Sequence, residues 1–392
     1  MSLCPLPLSY CTNVHPGRTV DEVLAGIEHY TLPIRQGAGQ PIAAGLWLAR
    51  SVIDELQTPQ AAASFSRFLQ ERNLPCYTLN AFPYGDFHSE RVKEQVYLPD
   101  WTNPDRERYT LDCARLLASL LPAGCDGSIS TVPLGFKSLA ADPEFTARCC
   151  ERLISTALGL ARLYDSTGRS IRLAIEPEPL CVLETTSETL AFFGMLRERA
   201  ADRQALGAVQ EHVGVCYDVC HQSVEFEDVV ASIRALQAAG IRINKVHISC
   251  AIEARNVMTD GAVRAALARY IEPRYLHQTF ARRPDGAVVH WLDLSRELLD
   301  VPPTGFAEAD VWRVHFHVPV DAAQLGPLGT TRPDLERALS VLPDLPYAPH
   351  LEVETYTWEV LPDGGRIQMI DGFARELAAT RRLLESPASP SA

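Results

Sequence analysis

At 392 residues the chain is long for one hydrophobic core, and one large domain or two are both compatible with that length. Its 46% hydrophobic and 22% charged residues are those of an ordinary globular protein and exclude a globally disordered chain. A formal net charge of −13 repels phosphate backbones and anionic bilayers at long range, so nucleic acid is not expected as a partner, while a small metabolite held by a local cation stays open.

In chain order, residues 8–14 form a first strand-like run, and Val20, Val23, Leu24 and Ile27 follow at helical spacing. Further strand candidates stand at 44–48, 76–81, 128–133, 171–176, 213–218, 244–249, 312–318 and 350–355. Between them, Thr185 and Glu188 form a capping-box sequence ahead of Leu190, Phe193 and Leu196, and Val229, Val230, Ile233 and Leu236 make a stripe that ends at Gly240. Apolar runs alternating with amphipathic helices predict parallel strands joined by crossover helices, an α/β fold of the (β/α)8 TIM-barrel type, with nine candidates for eight places.

The rhythm breaks at residues 251–310, a segment too long for a crossover. Within it, Thr279-Phe280 and Val288-Val289-His290-Trp291 flank Pro284-Asp285-Gly286, a hairpin turn by composition. The expectation is a single barrel over residues 1–385, with 251–310 inserted at its mouth and a disordered Ser/Pro tail at 386–392. The eleven cysteines scatter without CxxC pairs, and several sit in apolar runs, so they read as reduced thiols. The first ten residues lack a basic segment followed by an apolar core, and no run approaches a membrane span, so the expected location is the cytoplasm.

A parallel barrel builds its site from the C-terminal ends of its strands, so acids and histidines there carry the most information. His15, Asn80 and His88 follow early strands and are candidate substrate contacts or lid residues. Glu176 ends the 171–176 run, where a buried carboxylate is costly unless paired or coordinated. Asp218 ends 213–218, and His221 three residues later can face the same cavity. Lys245 and His247 share a face by the two-residue period of a strand, as do Glu352 and Glu354, of which Glu354 lies nearer the expected strand end. A lone acid or histidine is more often ion-paired than coordinated. Four at successive strand ends, in the order Glu, Asp-x-x-His, His, Glu, point to a divalent metal ion, and carboxylate and imidazole donors suit Mn²⁺, Mg²⁺, Zn²⁺ or Co²⁺.

Ile175-Glu176-Pro177, Asp218-Val219-Cys220-His221, Lys245-Val246-His247 and Glu354 together resemble the xylose isomerase-like superfamily of metal-dependent barrels, which includes sugar and sugar-phosphate isomerases, epimerases and the endonuclease IV group. More narrowly, Tyr10-Cys11-Thr12-Asn13-Val14-His15-Pro16-Gly17 and Leu351-Glu352-Val353-Glu354-Thr355-Tyr356-Thr357-Trp358 resemble the EboE family, named for metabolite traffic. The resemblance implies Glu176, Asp218, His247 and Glu354 as ligands of one ion, His221 as a contact of substrate or of a second metal, and Glu176 and Glu354 as the groups that exchange a proton beside a carbonyl. Lys245 then stands either as a stabiliser of the developing oxyanion or as an ion-paired lysine.

Arg313, His315 and His317 add an inward-capable row between the third and fourth ligand positions, at a place that resembles where the endonuclease IV group carries extra metal ligands. Two readings stay open for the histidines, a second metal or packing at the core and pocket wall; Arg313 is a candidate substrate contact. The expectation is a metal-dependent isomerase or epimerase acting on a small carbonyl or polyhydroxylated metabolite. Its alternatives are a multi-metal phosphodiester hydrolase and a barrel that binds and hands over a metabolite without turnover.

Overall fold

Parallel strands pair edge to edge until the first meets the last in the computed structural model of the chain, which describes residues 5–85, 87–362 and 366–385. The ring begins with β1 (Ser9–Cys11), β2 (Ala43–Trp47), β3 (Thr78–Asn80), β4 (Gly127–Thr131), β5 (Ile171–Ile175), β6 (Val213–Asp218) and β7 (Ile243–Ile248). The chain then leaves it to form β8 (Cys250–Arg255), β9 (Thr279–Arg282), β10 (Val288–Trp291), β11 (Val311–Val318), β12 (Gln324–Leu325) and β13 (Leu328–Thr330). It returns as β14 (His350–Val353), which pairs in parallel with both β7 and β1 and closes an eight-stranded barrel. The expected tail at 386–392 lies outside the described residues.

This order resolves the ninth strand candidate. Residues 312–318 fall in β11, which runs antiparallel to β8 and β9 in a separate six-stranded sheet. Both of its neighbours in that sheet run antiparallel to it, whereas a strand of the ring lies parallel to its neighbours. The excursion therefore extends to Thr330 and does not stop at residue 310. The expected hairpin forms within it, β9 to β10, turning at Gly286 with φ of 86°.

The helices follow their local sequence. Thr185 and Glu188 cap the helix Thr186–Asp202 reciprocally, and the helix Val229–Ala238 is followed by Gly240 in the left-handed region at φ of 65°. A bulge between Val215 and Cys216 offsets β6 against β7, so that Asp218 stands level with His247. Across the next pairing, His247 stands level with Glu352 and Lys245 with His350. The barrel interior is consequently polar near its centre. Gly45 is required there, because a Cβ at that position would come within 1.5 Å of Glu352 Oε2.

Candidate metal centre

Four strands deliver one donor each to a single point at the C-terminal mouth of the ring. Glu176 follows β5, Asp218 ends β6, His247 lies near the end of β7, and Glu354 directly follows β14. Their ligand atoms all lie within 4.8 Å of one another and all four residues are buried. His247 Nδ1 is 2.8 Å from Glu176 Oε1, 2.8 Å from Glu354 Oε2 and 3.5 Å from Asp218 Oδ2. Glu176 Oε2 and Asp218 Oδ2 have no hydrogen-bond partner. Buried polar atoms left in that state are costly, and a cation among them removes the cost, so the donor set fits a divalent ion.

Two of the ligand candidates are oriented from behind. Asp218 caps the helix Val219–Val224, its Oδ1 accepting from His221 N at 3.0 Å and from Ser249 Oγ at 2.7 Å, which leaves Oδ2 towards His247 and His317. Glu354 Oε1 accepts from Asn13 Nδ2 at 2.8 Å and Asn80 Nδ2 at 3.0 Å. Burial opposes a charged His247, yet neighbouring Cys216, Glu176 and Glu354 outweigh it and hold its pKa well above the ordinary histidine value. Burial raises the pKa of Glu176, with Glu354 and Asp218 adding to the shift against the pull of His247. In the metal-free chain a proton on His247 thus stands where a cation's charge belongs.

Three further histidines crowd beside this set. His221 Nδ1 donates to the Pro177 carbonyl at 2.9 Å, and His317 Nδ1 to the Glu354 carbonyl at 2.8 Å. Gln278 Nε2 donates to the Pro179 carbonyl at 3.1 Å, so its Oε1 is the atom facing His315 Nδ1 at 2.7 Å, and that nitrogen also carries the proton. In its neutral form each of the three rings keeps a lone pair on Nε2. His317 Nε2 and His221 Nε2 each approach Asp218 at 4.0 Å, and the ring centres of His221 and His315 are 4.6 Å apart. Burial lowers the pKa of His221 to about 4 and that of His315 well below the ordinary value, so both rings are neutral donors at pH 7. Asp218, His221 and His317 form a second group of donor atoms within ligand reach, and Glu178, His221 and His315 a third.

The cavity over these groups holds about 520 Å³ of empty space, its mouth included. One wall is the polar set; the other carries Phe82, Phe87, Tyr97, Tyr275 and Tyr356, with Tyr275 supplied by the excursion. Glu178 lines it too, and Tyr97 donates to its Oε1 at 2.7 Å. Burial and the neighbouring Glu176 and Asp218 push the Glu178 pKa well up, which favours its protonated form. The one lysine among the described lining residues, Lys93, is already held by Asp293 at 2.7 Å and the Tyr275 carbonyl at 2.5 Å.

Several expected site residues lie elsewhere. Lys245 does not line the cavity: two residues before His247 on β7, its Nζ is buried inside the ring, 2.6 Å from Glu352 Oε1. Glu352 belongs to that interior pair and not to the four-donor set. Arg313 sits at the far end of β11, where it binds Glu253 at 2.8 Å, Asp334 at 3.0 Å and the Ser223 carbonyl at 2.6 Å. Only the last residues of that eight-residue strand reach the barrel mouth, so His315 and His317 line the cavity and Arg313 does not. The turn Thr12–Val14 after β1 carries Asn13 into the cavity and His15 away from it, to stack on Tyr30 at 4.2 Å and meet Tyr10 Oη at 3.1 Å. His88 packs beside Trp47 at 5.6 Å, and its neighbour Phe87 takes the cavity wall. Asn80 does line the cavity. The residues that sequence reasoning passed over are Asn13, Glu178, Tyr97, Gln278 and Ser249. Of these, Glu178 carried a signal, two residues beyond Glu176 on an extended Glu-Pro-Glu segment.

No family model matches the chain, and no curated protein matches it. Solved structures do. A xylose isomerase-like TIM barrel protein from Mycobacterium smegmatis, in complex with magnesium, shares 12% identity over 99% of this chain and 100% of that one, with a TM-score of 0.52. A mannonate dehydratase from Streptococcus suis serotype 2 (13% identity, 98% and 93% covered) and a probable 3-DHS dehydratase of petrobactin synthesis from Bacillus anthracis (12%, 96% and 99% covered) both give TM-scores of 0.48. The Mycobacterium likeness shows the fold, a xylose isomerase-like TIM barrel.

Proposed function

We propose that the chain is a metal-dependent enzyme of the isomerase or epimerase kind, acting at a carbon beside the carbonyl of a small, neutral, polyhydroxylated metabolite. The observation that carries this reading is the convergence of Glu176, Asp218, His247 and Glu354 beneath an aromatic-walled cavity, with Glu176 Oε2 and Asp218 Oδ2 unpartnered. The magnesium of the Mycobacterium smegmatis structure supports a hard divalent ion in that set. Such an ion, when bound, polarises a substrate carbonyl and lowers the cost of carbanion character on the neighbouring carbon. Glu354, oriented by Asn13 and Asn80, is placed to take a proton from that carbon, and Glu176, whose pKa is raised, to return one. The aromatic wall suits the apolar face of a sugar-like ring, and the engagement of Lys93 leaves no lysine or arginine of the described lining for a phosphate. The resemblance of the two terminal motifs to EboE supports a setting in secondary-metabolite traffic.

The test is deuterium incorporation from heavy water into a panel of sugars and ketones by Mn²⁺-loaded protein. Wild type is expected to exchange one carbon-bound proton, and Glu354→Gln to lose exchange and bind the ion more weakly. A panel without exchange would favour binding and hand-over without turnover. A second reading, a multi-metal phosphodiester hydrolase, is favoured by the three Nε2 lone pairs of His221, His315 and His317. Metal analysis separates the two: one ion per chain supports the isomerase, whereas two or more, with phosphodiester cleavage that needs His315 and His317, supports the hydrolase.

A further inference from the structure

The interior pair beneath the donor set has a directed relation to it. Glu352 Oε1 lies 2.6 Å from Lys245 Nζ and 3.3 Å from His247 Nε2, while Ser9 Oγ donates to Oε2 at 3.1 Å. All of these residues are fully buried, and neither His247 Nε2 nor Glu352 Oε1 makes an aligned hydrogen bond with another group, so each is the nearest partner left to the other. The two sides of the imidazole therefore face different worlds. Nδ1 looks at Glu176, Asp218 and Glu354, and Nε2 looks at a carboxylate that Lys245 and Ser9 hold from the other side. Gly45 has no side chain because Glu352 occupies that space.

We infer that Glu352 is a positioning residue for the metal centre: it accepts from the Nε2–H of His247, so that His247 binds the ion through Nδ1, and Lys245 holds Glu352 from the other side. This rests on the metal reading above. A ligand histidine whose second nitrogen donates to a carboxylate is fixed in tautomer and ring orientation and made more basic, and loss of such a partner costs about 10–100-fold in metal affinity. The pair also gives a physical reason for a lysine at the centre of the barrel. A lone carboxylate there would draw the His247 proton onto itself or go unpaired, and a buried ammonium prevents both.

The first measurement needs no variant: nitrogen NMR of ¹⁵N-histidine-labelled protein loaded with Zn²⁺. The expected result is a metal-shifted Nδ1 and a protonated Nε2 on His247; coordination through Nε2 overturns the inference. The second compares Lys245→Met with Glu352→Gln, which keeps an oxygen acceptor without charge, against Lys245→Met with Glu352→Leu, which removes the acceptor. Both lose the ion pair, so a merely structural effect moves them together. Mn²⁺ affinity, read by electron paramagnetic resonance of the free ion, is expected to fall about 10–100-fold in the Leu double variant and clearly less in the Gln one. Equal affinities in the two variants, or wild-type affinity in the Leu variant, overturn the inference. If the Leu variant fails to fold by circular dichroism, the Zn²⁺ spectrum of wild type decides alone. Wild type that takes up neither Zn²⁺ nor Mn²⁺ would sink the metal reading itself, a result distinct from all of these.

Discussion

Glu352 and Glu354 stand two residues apart on the same strand end, and their surroundings are opposite. Around Glu352 the charges balance: one lysine, one carboxylate and a serine hydroxyl, all fully buried. Lys245 outweighs the effect of burial and holds the Glu352 pKa at about 2. Around Glu354, three ligand carboxylates share one imidazole, with Glu178 nearby, and Glu176 Oε2 and Asp218 Oδ2 make no hydrogen bond. A buried charge matched by an opposite one supports the fold, whereas carboxylates that outnumber their cation cost stability until another cation arrives. Proximity in sequence decides neither role; the balance of charge around each does.

This contrast can be broken most directly by substitution in metal-free protein. Lys245→Met strands Glu352 and is expected to destabilise by about 3–5 kcal/mol in urea unfolding. Glu354→Gln removes a carboxylate that His247 and His317 keep ionised against burial, but its amide oxygen can still accept from Asn13 and Asn80, so a smaller cost of about 1 kcal/mol is expected. Similar losses in both would erase the distinction. Adding Mn²⁺ at a hundred times its dissociation constant should then stabilise wild type by about 2.7 kcal/mol, and Asp218→Asn at the same concentration should show little of that gain.

Gly45→Ala sharpens the comparison, because it disturbs the paired region without touching a ligand candidate. The added methyl overlaps Glu352 Oε2, and a cost of about 1–3 kcal/mol is expected, together with weaker Mn²⁺ binding as Glu352 is pushed from His247. A further test is that of pH. Both His247 and Glu176 have raised pKa values, so both hold protons that an ion must displace. Affinity should therefore rise with pH and fall in acid, by about 1.4 kcal/mol per pH unit for each proton released. Mn²⁺ titrations at several pH values that gave one constant affinity would contradict the assignment of those protons.

The barrel and the meeting of Glu176, Asp218, His247 and Glu354 were legible in the sequence for one reason. Strand period and strand ends are local properties, and a closed parallel ring turns local ends into a common point. What escaped was everything set by a partner not adjacent in sequence. Residues 312–318 have the period of any strand, and only pairing with β8 and β9 takes them out of the ring. Arg313 shares its face with His315 and His317, but the length of β11 carries it away from the cavity. The three-residue turn after β1 exchanges Asn13 for His15. Lys245 was readable as inward-facing, whereas its engagement with Glu352 depends on the register between β7 and β14.

The excursion that carries His315, His317 and Tyr275 leaves and rejoins the barrel at one place. Ala251 N donates to Thr331 Oγ1 at 2.8 Å, and Thr331 N donates to the Ala251 carbonyl at 3.0 Å, while β7 and β14 pair directly without it. Topologically it is a purse with a drawn string, some eighty residues whose two ends are already tied. A chain spliced from Ser249 to Arg332 by a short turn would keep Glu176, Asp218, His247, Glu354 and His221 and discard His315 and His317 together with Tyr275 of the aromatic wall. The pouch is thus an exchangeable cassette: the ring supplies the ion's seat, and what is sewn onto it can be replaced to change what is brought to that seat.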